Sequence, residues 1–119
     1  MGEQCKVLIA DDSRRARLGL RALLALRPEI EIVGEAANGE EALQSVRDGR
    51  PDVVLMDVRM PLMDGLEATR QIKGHWPQVR IVVVSLYASH RAEALAAGAD
   101  AFLVKGCPAG ELLAAIMAC

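Results

Sequence analysis

Five polar side chains stand directly after short apolar runs, and their types define a chemistry before any fold is assumed. Asp11 and Asp12 follow Lys6-Val7-Leu8-Ile9-Ala10, and Asp57 follows Val53-Val54-Leu55-Met56. Ser85 follows Arg80-Ile81-Val82-Val83-Val84, and Lys105 follows Ala101-Phe102-Leu103-Val104. Three carboxylates gathered in one crevice repel one another and at neutral pH require a cation. One or two carboxylates completed by water suit Mg2+, which keeps several of its waters; Mn2+ is a natural substitute. No His or Cys is among the five residues, which argues against zinc or copper. A carboxylate beside a hard cation is also a nucleophile toward phosphorus, giving an aspartyl phosphate. A metal ion and a Lys stabilise charge on phosphoryl oxygens, and a serine hydroxyl donates to the same atoms. The group describes an acceptor for one phosphoryl group.

These residues meet only if the runs that precede them are neighbours. A short Val-rich run reads as a strand buried on both faces, as in a parallel sheet. In open α/β sheets, sites form at the carboxyl ends of the strands. Helical patterns fill the intervals. Ser13 caps an amphipathic stretch with Leu18, Leu20, Leu23 and Leu24 that runs to about Leu26, with Pro28 beyond it. Glu31–Ala36 is a more polar strand suited to a sheet edge. Asn38 caps a helix with Ala42, Leu43 and Val46, broken at Asp48-Gly49-Arg50-Pro51. The loop Met60-Pro61-Leu62-Met63-Asp64-Gly65 leads to a helix through Leu66, Ala68, Thr69 and Ile72 that ends at Gly74. A short Ala-rich helix spans about Arg91 to Ala97, closed by Gly98. Pro108 opens a last helix with Leu112, Leu113, Ile116 and Met117. Strand and helix alternate five times, which predicts an α/β fold with a five-stranded parallel sheet, helices on both faces and right-handed crossovers. Strand order does not follow from the pattern alone.

Composition bounds the rest. The 119 residues suit one domain, 1–119. Hydrophobic residues make up 52% and aromatics 3%, so the core is aliphatic. A net charge of −2 without a clustered basic face argues against direct nucleic-acid binding by this domain. No run approaches the ~20 apolar residues of a membrane span, and Met1-Gly2-Glu3-Gln4 lacks signal-peptide character. Cys5, Cys107 and Cys119 have no ligand spacing and read as reduced thiols, consistent with a cytoplasmic location.

Taken in order, Asp11-Asp12, Val54-Leu55-Met56-Asp57, Met60 to Gly65, Ser85 and Ala97-Gly98-Ala99-Asp100-Ala101-Phe102-Leu103-Val104-Lys105 resemble the receiver domain of bacterial two-component response regulators, over essentially the whole chain. The resemblance implies the flavodoxin-like (βα)5 doubly wound sheet, order 2-1-3-4-5. It implies that Asp57 accepts a phosphoryl group from a sensor histidine kinase. Asp12 and Asp57 then bind Mg2+ directly with the backbone carbonyl of Arg59, and Asp11 helps through water. Lys105 pairs with the phosphate, Ser85 is the switch hydroxyl that moves toward it, and Phe102 is the coupled aromatic. Leu86 with Tyr87 looks more like the NarL/LuxR-type members, which carry a C-terminal DNA-binding domain, so transcriptional output from a longer protein is expected. A homodimer formed on phosphorylation fits the same resemblance. Gly106 stands where the family commonly has proline, so no cis-proline is expected there. The segment between Ser85 and Gly98 looks about two residues short. Arg59 and Tyr87 flank the expected path of a hydrolytic water.

Other readings accompany these. Phe102 is also simply a core residue, Asp64-Gly65 and Pro61 suit a turn and helix start, and His75 and His90 suit solvated surface. Arg14, Arg15, Arg17 and Arg21 suit the solvated face of the first helix or a kinase-docking surface. As a whole, the chain is alternatively a phosphorylation-independent interaction module that kept the fold, or a small Mg2+-dependent phosphotransfer enzyme. At most, self-phosphorylation from small donors and self-dephosphorylation are expected of a phosphoacceptor.

Overall fold

The structure is a computed structural model that describes residues 4–118. Met1–Glu3 and Cys119 lie outside the described residues. The chain alternates β1 (Cys5–Ala10), α1 (Arg14–Leu24), β2 (Ile30–Ala36), α2 (Gly39–Gly49), β3 (Val53–Met56), α3 (Gly65–His75), β4 (Arg80–Ser85), α4 (Arg91–Ala96), β5 (Ala101–Val104) and α5 (Ala109–Met117), with a 3-10 turn at Ala88–His90 before α4. The five strands form one parallel sheet in the order β2-β1-β3-β4-β5.

The elements start where local chemistry predicts. Ser13 accepts from the Ala16 N–H at 3.2 Å, Asn38 from Glu41 at 2.8 Å and Asp64 from Glu67 at 2.9 Å, each satisfying a donor that the first helical turn leaves open. Three ends differ from expectation: α2 runs on through Asp48 and Gly49 and closes at Arg50, whose φ of 44° is left-handed. Helix α1 stops at Leu24, two residues short of Leu26, because Arg27 and Ile30 fold back on the carbonyls of Leu24 and Arg27 at 3.0 and 3.1 Å. Gly74 does not end α3; the helix continues to His75, where Trp76 closes it on the Ile72 carbonyl at 2.7 Å.

Alternation along the strands sorts the core into two layers. Leu8, Val54, Met56, Ile81, Val83 and Phe102 face α2, α3 and α4. Val7, Ile9, Val53, Leu55, Val82 and Val84 face α1 and α5. Every residue of β3 is buried, which accounts for its unbroken apolar run. Strand β2, at the edge, alternates between buried and exposed positions instead. Arg17 and Arg21, read as part of a solvated face, both hold Glu35 at 2.8 Å and tie α1 to the edge strand. They lie one helical turn apart, so both reach the same carboxylate.

No described helix is long and apolar enough to cross a membrane. Among the described residues no peptide bond is cis, and Gly106 takes a left-handed φ of 89°.

Candidate functional site

The acidic residues converge because of strand register. Val7 and Ile9 pair with Val53 and Leu55, so Asp11 and Asp57 come next on adjacent strands. The Asp57 N–H donates to the Ala10 carbonyl at 2.9 Å and fixes that alignment. Both residues continue the α1–α5 face of the sheet, and Lys105 continues the same face from Ala101 and Leu103 of β5. All three border a cavity of about 180 Å3 otherwise lined by apolar side chains such as Leu20, Leu55 and Leu112. Asp12, one residue past Asp11, is exposed.

Asp11 is buried, and both its oxygens are engaged. One accepts from the Ser13 N–H at 2.9 Å and the other from Lys105 Nζ at 2.9 Å. Asp57 is also buried. Its Oδ1 accepts from the Val58 N–H at 2.9 Å, and its Oδ2 lies 3.5 Å from Lys105 Nζ. Burial pushes the Asp57 carboxyl above the ordinary carboxylate range, and the charge of Asp11 adds to the effect; Lys105 and the Val58 N–H oppose it without prevailing. Burial pulls the Lys105 ammonium down, but its hydrogen bond to Asp11 and the charges of Asp57 and Asp11 together carry it above its usual value.

One oxygen from each of Asp11, Asp12 and Asp57 lies within 4.8 Å of the others. Three carboxylates this close, with one ammonium among them, are short of positive charge. An all-oxygen donor set opening to water fits a hard divalent cation such as Mg2+. A cavity of about 340 Å3 above the cluster gives access to Asp57, and Arg59, Leu86 and Tyr87 stand at its rim. The Arg59 guanidinium rests 4.9 Å from the centre of the Tyr87 ring, so the two bulky side chains that flank this opening are joined.

Ser85 lies apart from the other four. It continues the opposite face of the sheet, that of Ile81 and Val83. Its hydroxyl accepts from the Tyr87 N–H at 3.1 Å and lies 2.7 Å from His90 Nδ1. The expectation of His90 as solvated surface is therefore corrected: the ring is half-buried and bonded to Ser85. The 3-10 turn causes this by bringing the chain straight back over the end of β4. The one sequence signal was the short segment between Ser85 and Gly98, which leaves α4 six residues long. Phe102, paired with Val83, is buried on the same face of the sheet.

Gly65 fits the loop after Asp57 for a steric reason. A Cβ there would stand 1.8 Å from the Asp57 carbonyl oxygen. Its N–H donates to the Val58 carbonyl at 2.8 Å and brings the start of α3 against the phosphoacceptor candidate.

A five-stranded doubly wound sheet with an acidic cluster and a Lys at its carboxyl edge defines a class of domain, and the comparisons agree. The family model for the response regulator receiver domain matches residues 7–117. The chain belongs to that family. Transcriptional regulatory protein LnrK of Bacillus subtilis is 38% identical over 114 residues, 94% of this chain and 52% of that protein. The signal receiver domain of the putative response regulator NarL from Mycobacterium tuberculosis superposes with a TM-score of 0.92 at 32% identity, covering 99% of this chain and 97% of that one. The CheX-CheY-BeF3-Mg2+ complex from Borrelia burgdorferi gives a TM-score of 0.89 at 28% identity, covering 98% of this chain and 90% of that one. The chain spans about half the length of the curated relatives it matches.

Proposed function

We propose that Asp57 is the phosphoacceptor of a two-component signalling switch and that Mg2+ is its cofactor. The observation that carries this reading is the buried Asp57 carboxylate, set between Lys105 at 3.5 Å and the acidic pair Asp11 and Asp12, and open to the solvent above. Asp12, Asp57 and the carbonyl of Arg59 would hold the ion, with Asp11 assisting through water. The ion supplies charge neutralisation at the transferring phosphoryl group. Asp57 offers the attacking oxygen. Lys105 is already at hand to pair with a phosphoryl oxygen, Ser85 is the hydroxyl to be recruited, and Phe102 is the coupled aromatic. The Borrelia complex named above contains beryllofluoride and Mg2+, which supports the same chemistry on this fold.

The donor is a sensor histidine kinase, and the output is transcriptional, as the name of the LnrK relative states for that protein. Phosphorylation adds charge and strong acceptor oxygens beside β4 and β5, and so biases the surface formed by α4, β5 and α5; a homodimer formed on phosphorylation, through the surfaces of the fourth and fifth or the first and fifth helices, belongs to the same proposal. Intact mass after incubation with Mg2+ and acetyl phosphate or phosphoramidate tests the reading. One added phosphoryl group on the wild type and none on Asp57→Asn is the expected result. Failure with both small donors and a phosphorylated histidine kinase would overturn it in favour of an interaction module.

The joined side chains of Arg59 and Tyr87 restrict the approach of water to a phosphorylated Asp57. Slow self-dephosphorylation follows. Replacing both residues by Asn and Ser is expected to shorten the phosphoryl half-life about tenfold, which corresponds to ~1.4 kcal/mol of barrier. An unchanged half-life would show that the rim does not govern hydrolysis.

A further inference from the structure

The hydroxyl of Ser85 has one proton to give. Its oxygen lies 2.7 Å from His90 Nδ1, within hydrogen-bond distance, and the hydroxyl donates when the ring carries its proton on Nε2. The Tyr87 N–H donates to one lone pair of the Ser85 oxygen, and with the ring proton on Nε2 the His90 Nδ1 takes the hydroxyl proton. A phosphoryl oxygen only accepts. A phosphorylated Asp57 and His90 therefore compete for the same proton, from opposite faces of the sheet. We infer that His90 is a positioning residue that holds Ser85 in the resting arrangement and sets how readily Ser85 is recruited to the phosphoryl group. This rests on the reading of Asp57 as phosphoacceptor.

The surroundings of His90 suit such a latch. It ends the 3-10 turn and immediately precedes α4, so loss of its bond to Ser85 is felt at the start of that helix. The Tyr87 ring meets its edge at 5.6 Å, and Tyr87 in turn carries Arg59. One contiguous set of contacts thus runs from the rim of the acidic site to the base of α4.

The test is a double-mutant cycle read by the affinity of the Mg2+-loaded protein for beryllofluoride, a phosphoryl analogue. His90→Phe keeps the ring and its edge contact with Tyr87 but takes no proton. It is expected to bind beryllofluoride roughly threefold to tenfold more tightly, the ordinary range for one net hydrogen bond. Ser85→Ala is expected to bind more weakly than wild type, and adding His90→Phe to it is expected to change nothing further. Nitrogen-15 spectra of the wild type are expected to show an unprotonated Nδ1 that loses its hydrogen bond when beryllofluoride is added. If His90→Phe does not fold, His90→Ala takes its place in the cycle with the same expectation. Equal or weaker binding by the His90 variant, or an equal gain in the Ser85→Ala background, overturns the latch while leaving the phosphoacceptor intact. Absence of beryllofluoride binding by wild type overturns both.

Discussion

Asp57→Asn is expected to melt a few degrees above the wild type in metal-free buffer at neutral pH, and below it in saturating Mg2+. Burial and the charge of Asp11 raise the Asp57 carboxyl above its ordinary range. A group raised by folding contributes its stability at low pH and loses it as the pH climbs through the folded value. At neutral pH the metal-free protein therefore carries a buried, ionised carboxylate at a cost. Asn keeps the shape and removes the charge. Relieving a functional site of this kind commonly gains about 1 kcal/mol, or ~4 °C for a domain of this size. The gap closes as the pH falls below the ordinary carboxylate range, where Asp57 is neutral too. Mg2+ inverts the order because only the wild type offers it the full acidic set. An ion present at one hundred times its dissociation constant adds about 2.7 kcal/mol. Calorimetric scans with EDTA and with Mg2+ at two pH values check each part. A variant that melts lower in EDTA would mean that the pairing with Lys105 outweighs burial and repulsion. A wild type indifferent to Mg2+ would remove the cation from the proposal.

Gly65→Ala is expected to be the more damaging change, although it adds a single carbon. That carbon would stand 1.8 Å from the Asp57 carbonyl oxygen and 2.8 Å from its carbon. No rotamer relieves a clash with backbone, so either α3 withdraws or Asp57 moves. We expect a loss of roughly 3 kcal/mol, the upper range for overpacking, and a fall in melting temperature of roughly 10 °C. The variant is expected to lose phosphoacceptance at temperatures where it remains folded, since the displaced residue is the proposed acceptor. Gly74→Ala serves as the control, because nothing stands within 4 Å of the added carbon in the last turn of the same helix. If both variants melt alike, the close approach at Gly65 does not constrain the site.

The site was legible wherever one strand carries its own signal. The apolar run Val53–Met56 marks Asp57, and the turns after β1 and β5 mark Asp11, Asp12 and Lys105. Strand order was not legible from alternation, because pairing between strands distant in sequence is set by packing that no local pattern records. His90 was missed for a related reason. Its bond to Ser85 spans five residues, a spacing that neither a helix nor a strand brings together, and it exists only because a 3-10 turn folds the chain back. Arg17 and Arg21 were read as one face of a helix, which they are. Their common partner Glu35 lies on the edge strand, and its nearness is a property of the assembled sheet.

The sheet divides labour between its two sides. Asp11, Asp57 and Lys105 belong to the side of α1 and α5, while Ser85, His90 and Phe102 belong to the side of α4. Under the proposed function, changes on the first side would retune how fast the domain is phosphorylated. Changes on the second would retune how readily Ser85 answers the phosphoryl group and how far α4 follows. Ser85 is where the two sides meet, so a change on the side of α4 that frees or holds its proton would be felt at the acidic site as well.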